Sequence, residues 1–330
     1  MDGNPADGAS APASPPASPS APASPPASER AAQEYAEHRE LLFALVYNLL
    51  GSVADTEDVL QDTWLAWAAR TASPTAGAVE HPKAYLVRIA VNRALAQQAA
   101  VSRRRETYVG PWLPEPLFGP AAGADGGPGS GTQDVALAAE RAESVSMALL
   151  VVLETLSPLE RSAFVLHEVF GYSGTEIAGI LGRNPAAVRQ LVKRAREHVR
   201  ARRPRYEPAP DVRRQVTERF LAAALGGDLT ALLELLAPDV TLVGDGGGKA
   251  PGGRRPLTGR AKVARLLAAL SAEPVPALHL TWRDVNGAPA AVLSAFGRPF
   301  AVLVLDLAPD GDLVSGIYAV SNPDKLRGLA

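Results

Sequence analysis

Residues 173–205, SGTEIAGILGRNPAAVRQLVKRAREHVRARRPR, read as two helices joined by a tight turn. The first, residues 175–181, turns Ile177, Ala178 and Leu181 inward. Gly182, Arg183 and Asn184 make the break, because glycine suits a helix C-terminus and asparagine the next N-cap. Pro185 then takes the first helical position, where its missing N–H costs nothing. In the second helix Val188, Leu191, Val192, Ala195 and Val199 recur at three-and-four spacing, one apolar face. The opposite face carries Arg189, Gln190, Lys193, Arg194, Arg196 and Arg200. Residues 183–205 hold nine Arg or Lys against one acid, Glu197. That imbalance is costly unless a polyanion neutralises it. A short helix, a glycine-bearing turn and a basic amphipathic helix form the helix-turn-helix pattern, whose second helix enters the DNA major groove.

The chain around it has 330 residues, enough for two or three domains. The net charge of −2 hides strong local asymmetry. The absence of cysteine excludes a disulfide framework, a zinc ribbon and a cysteine nucleophile. No apolar run is long enough to span a membrane, and no basic residue precedes Arg30, so a cytoplasmic protein without a membrane partner is expected.

Residues 1–28, rich in Ala, Ser and Pro, read as a disordered tail. Leu41, Leu42, Leu45, Val46, Leu49 and Leu50 then share one helical face. A second helix opens at Asp55 with acids in its first turn, as the helix dipole prefers. After a Pro/Gly/Ala loop at 71–81, a third helix over 83–105 shows Arg88, Asn92, Arg93, Gln97 and Gln98. Residues 107–117 read as neither helix nor strand, although Tyr108, Trp112 and Leu113 are too apolar for an idle linker. Helices resume from Gln133, over 145–156 and 159–169. Beyond Pro210 the pattern changes to helices at 212–225, 229–236 and 259–270. A strand at 240–243, a glycine-rich loop, and antiparallel strands at 278–284, 291–295, 300–307 and 313–320 complete an α+β domain.

DTEDVLQDTWLAWAAR, HPKAYLVRIAVNRALAQQ and the region from TLSPLERSAF through the helix-turn-helix together resemble a bacterial sigma factor of the extracytoplasmic-function (ECF) type. The resemblance implies two all-α modules, region 2 at 29–106 and region 4 at 140–205, joined by a linker at 107–139. It gives residues 206–330 a SnoaL-like, cone-shaped α+β fold, and likens WLPEP and DGGGK to signatures of one ECF group. Carried over, it assigns Asp58, Gln61, Asp62 and Trp64 to core RNA polymerase. Arg88, Asn92, Arg93 and Gln97 face the −10 element of promoter DNA, and Arg189, Gln190, Lys193 and Arg194 the −35 duplex. It implies no catalytic group, metal or cofactor, because polymerase does the chemistry.

A regulatory contact is expected between Trp112, Leu113 and Pro114 of the linker and Asp245, Gly246, Gly247, Gly248 and Lys249 of the C-terminal domain. Lys249 would pair with Glu115 or cap a carbonyl, while the glycines allow close backbone approach. GDGGGKA is no phosphate-binding P-loop, since Val243 and Ala250 stand where the pattern needs Gly and Ser/Thr. The competing reading is a one-component helix-turn-helix regulator with a ligand-sensing or enzymatic C-terminal domain. Its acid/base candidates are His279, Asp284 and Asp306.

Overall fold

The computed structural model describes residues 27–73, 77, 79–121, 145–202, 209–273, 275–309 and 311–329. It begins with α1 (Ala27–Leu50), α2 (Val53–Ala72) and α3 (Pro82–Glu106). Ala27 and Ser28, read as tail, form the first turn of α1; residues 1–26 lie outside the described residues. The apolar stripe of α1 is fully buried at Leu42, Leu45, Val46 and Leu49. Ser52 caps α2 by accepting the Asp55 N–H, and buried Trp67 donates its indole N–H to the Ala31 carbonyl at 3.0 Å. Thr71 and Ala72 finish α2 rather than opening the loop.

The second helical set is α4 (Met147–Leu153), α5 (Pro158–Phe164) with a π-helical turn at Val165–Val169, α6 (Gly174–Leu181) and α7 (Pro185–Arg202). The helical onset expected at Gln133 lies outside the described residues, which resume at Val145. One apolar core runs through both sets, from Leu45 and Leu86 to Phe164, Ile177 and Val188. The two modules are therefore packed on one another.

The rest comprises α8 (Pro210–Gly226), α9 (Leu229–Leu235), α10 (Arg260–Leu270) and a seven-stranded sheet. The sheet order is β1 (Phe118–Ala121), β4 (Leu278–Val285), β5 (Ala288–Ala295), β6 (Arg298–Leu307), β7 (Val314–Val320), β2 (Leu236–Asp245), β3 (Leu257–Thr258). Strands β4 to β7 form the expected antiparallel meander, but β2 runs parallel to β7, so the sheet is mixed. Leu236, read as the end of a helix, opens β2 because it pairs with Val314, a partner no local pattern reveals. β1 is likewise unannounced: a Phe-Gly-Pro-Ala stretch of the linker adds an edge strand to β4, and an edge is where proline is tolerated in a sheet.

One face of the sheet buries Ala291, Leu305 and Ile317 against Phe220 of α8 and Val263 of α10. The other packs Val285, Val292, Val302, Val304 and Val320 against Leu113 of the linker and Met147 of α4. This second face joins the α+β domain to the helical modules.

Candidate DNA, polymerase and regulatory interfaces

The helix-turn-helix is built as its residues require. Ser173 and Glu176 form a capping box on α6, Gly182 closes it at φ 61° in the left-handed region, and Asn184 Oδ1 accepts the Ala187 N–H at 2.7 Å to start α7. Val188, Leu191, Val192 and Ala195 are buried, which leaves Arg189, Gln190, Lys193 and Arg194 exposed on α7. A cleft of about 660 Å³ lies before the helix, lined by Thr175, Arg189, Lys193, Arg196 and Arg200 among others. Arg194 pairs with Glu160 of α5 at 3.1 Å, and Arg196 with Glu168 at 2.6 Å. The Ser157 hydrogen bonds of its capping box hold the Glu160 carboxyl below the usual range. Lys193 lies 3.9 Å from Glu197 one turn on, while Arg189 and Gln190 have no such partner among the described residues.

On α2, Asp58, Gln61 and Asp62 are exposed. Trp64 is not a free surface residue: it is half-buried and tilts against Tyr35 with ring centroids 5.3 Å apart. Three-and-four spacing turns one edge of it toward α1, and the remaining part of the ring stays open. The −10 candidates on α3 are mostly engaged. Arg93 pairs with Asp62 at 2.8 Å, and the Gln97 amide donates to buried Asp55 at 3.3 Å. Asn92 Nδ2 donates to the carbonyl of Ile180 on α6 at 3.1 Å. Arg88 is exposed. The α3 face thus lies against the first helix of the helix-turn-helix.

The linker is strapped to both neighbours. On the helical side, Glu115 caps α2 by accepting the Val53 N–H at 2.8 Å, and Tyr47 donates to the Glu115 carbonyl at 2.5 Å. On the sheet side, Leu113 and Pro114 are buried, and Asp245 accepts the Leu113 N–H at 2.8 Å and the Tyr108 hydroxyl at 2.5 Å. Trp112 is half-buried with the Arg105 guanidinium 3.5 Å and the Lys325 ammonium 4.1 Å from its ring. Gly246 is buried, while Gly247 and Gly248 adopt φ 58° and 71°. A Cβ at Gly248 would meet Val109 at 3.0 Å, and one at Gly247 would collide with Asn322. Among the described residues, Lys249 reaches neither Glu115 nor a carbonyl. It pairs with Asp324 at the exposed rim, because Glu115 faces away toward α2.

The cation at the centre of this contact is Lys325, which the sequence reading missed. It is buried, 2.7 Å from Asp245, and donates to the Leu113 carbonyl. Burial lowers its pKa to about 8, against the pull of Asp245. Asn322 donates to the Tyr108 hydroxyl at 2.7 Å, and Asn286, in the β4–β5 turn at φ 52°, donates to Tyr47 at 2.9 Å. The available signal was SNPDKL: a proline-led turn placing a lysine just after an apolar strand.

The acid/base candidates do not assemble. His279 is exposed at the start of β4, and Asp306 stands near the far end of β6. Asp284 accepts the N–H groups of Gly287 and Ala288 in its own hairpin, with burial raising its carboxyl.

Residues 35–104 match the Sigma-70 region 2 family and residues 146–199 the Sigma-70 region 4 family. The chain is 35% identical over 303 residues to the ECF RNA polymerase sigma factor SigJ of Mycobacterium tuberculosis, covering 89% of this chain and 93% of SigJ. It is 32% identical over 203 residues to that organism's probable ECF sigma factor SigI, covering 62% and 66% of the two. The crystal structure of M. tuberculosis SigJ superposes with a TM-score of 0.68 at 34% identity, covering 90% of this chain and 98% of that one. With two sigma modules packed on a mixed-sheet C-terminal domain, and this likeness along nearly its whole length, the chain belongs to the ECF RNA polymerase sigma factors.

Proposed function

We propose that this sigma factor rests in a closed form, held by its own C-terminal domain, and opens to engage core RNA polymerase and promoter DNA in the cytoplasm. The observation that carries the reading is the bond from Asn92 to the Ile180 carbonyl. A side chain meant for an unstacked −10 base is occupied by the helix-turn-helix, so the two engagements exclude one another. Region 2 spans residues 29–106, region 4 residues 140–205 and the regulatory domain residues 206–330. Asp58, Gln61, Asp62 and the open edge of Trp64 face polymerase. Arg88, Asn92, Arg93 and Gln97 meet the melted strand after opening, and Arg189, Gln190, Lys193 and Arg194 read the −35 duplex through the major groove. The C-terminal domain acts here as the regulatory part, through its contact with the linker rather than through His279, Asp284 or Asp306, which lie apart.

The test is Asn92→Ala in the full chain. Losing one closed-state hydrogen bond is worth about 1 kcal/mol, so core polymerase binding should tighten about fivefold while promoter opening falls. A variant that binds polymerase and opens promoters like the parent would refute the closed-form reading.

A further inference from the structure

Among the described residues, three buried side-chain polar atoms without a hydrogen-bond partner belong to residues around one cleft. These are Gln98 Oε1, Arg105 Nε and Arg161 Nη2. The cleft has a volume of about 350 Å³ and sits where α1, α3, the linker and α5 converge. It is large enough for a small organic molecule rather than a single water, which takes about 30 Å³.

Its charges do not balance. Glu154 is the carboxylate lining it, and that one group already pairs with both Arg105 and Arg161, the latter at 2.6 Å. Two guanidiniums thus share a single anion. Arg161 is 4% exposed, and burial lowers the pKa of each arginine to about 9, with repulsion from Arg161 adding to the effect on Arg105. A second anion would relieve that strain through charge-assisted hydrogen bonds. The remaining wall is apolar, formed by Leu49, Leu50, Val101, Leu156 and an edge of Trp112.

We propose that this cleft is an effector site for a small amphipathic anion, an aryl carboxylate, which clamps region 2 against region 4. The carboxylate sits between Arg105 and Arg161, and the ring lies on the leucines. Because the wall comes from both modules, the ligand binds the closed arrangement alone and stabilises it by mass action. That occupancy also lowers transcription rests on the closed form being the resting one; binding itself does not.

The experiment labels the full chain with 5-fluorotryptophan and follows the four tryptophan fluorine resonances, Trp112 being assigned by its loss in Trp112→Phe. Benzoate should shift the Trp112 resonance saturably below about 10 mM and leave Trp282 unmoved. Neutral benzamide should bind at least about tenfold more weakly, because it cannot neutralise the arginines. Inorganic phosphate, which lacks the apolar body, should also bind more weakly than benzoate. Ser102→Phe, at an exposed position on the cleft wall, should abolish the benzoate shift while the Trp282 resonance reports an intact fold. The proposal is overturned by no saturable shift with benzoate, by equal binding of benzamide or phosphate, or by a shift that survives Ser102→Phe.

Discussion

Asp245 Oδ2 accepts the backbone N–H of Leu113, 132 residues earlier in the chain, across 2.8 Å. The same carboxylate takes the Tyr108 hydroxyl, the Gly247 N–H and the Lys325 ammonium, and Asp245 is completely buried. A buried charge persists only when it is paired and hydrogen-bonded on all sides. Here the partners come from the linker, the glycine loop and the C-terminal turn, so one side chain ties three segments together.

Replacing it therefore disturbs all three. Asp245→Ala leaves buried Lys325 without its counterion and should cost about 3–5 kcal/mol in urea unfolding, since one member of a buried pair is removed. The linker should become a site of rapid proteolysis in the same variant. A loss below about 1 kcal/mol would mean that solvent already reaches the pair.

Arg189 is exposed on the polar face of α7 and, among the described residues, has no ion-pair partner like those of Arg194 and Arg196. Arg189→Ala should weaken promoter binding by about 1–3 kcal/mol and relax preference at one −35 base pair. Unaltered selectivity across a promoter library would remove Arg189 from the reading set.

Charge reversal at Asp58 or Asp62 tests the polymerase face. Asp62→Lys also opens the pair with Arg93, but both side chains are largely exposed, so helicity by circular dichroism should not change. Co-elution with core polymerase should be lost, and its retention would assign that face elsewhere.

Burial pushes the phenols of Tyr47 and Tyr108 far above their ordinary range, with the hydrogen bond to Asp245 adding to the effect at Tyr108. Both should stay protonated at about pH 11 when absorbance near 295 nm is titrated, while freely exposed phenols ionise near pH 10. The folded state keeps protons that the unfolded state releases above about pH 10. This contribution to stability is therefore full below that pH and lost as pH rises further. Full ionisation of all seven tyrosines in the folded chain near pH 10 would contradict the burial of these two.

The helix-turn-helix was legible because everything that builds it is local. Ser173 reaches Glu176, Gly182 supplies the left-handed residue, Asn184 caps Ala187, and the buried stripe of α7 repeats within one helix. The exposed acids of α2 and the basic face of α7 follow from the same periodicity, and the sequence determined the three-part organisation of the chain. It also placed the linker and the glycine loop in contact, but through the wrong lysine. Trp64 against Tyr35, Asn92 against Ile180, Leu236 in a parallel strand, Asn286 on Tyr47 across 239 residues, and Lys325 rather than Lys249 beside Asp245 were decided by the tertiary structure. The physical reason is that a strand's neighbour, and the partner of a buried polar group, come from distant segments meeting in a low-dielectric core. Local propensity carries no information about which segments meet.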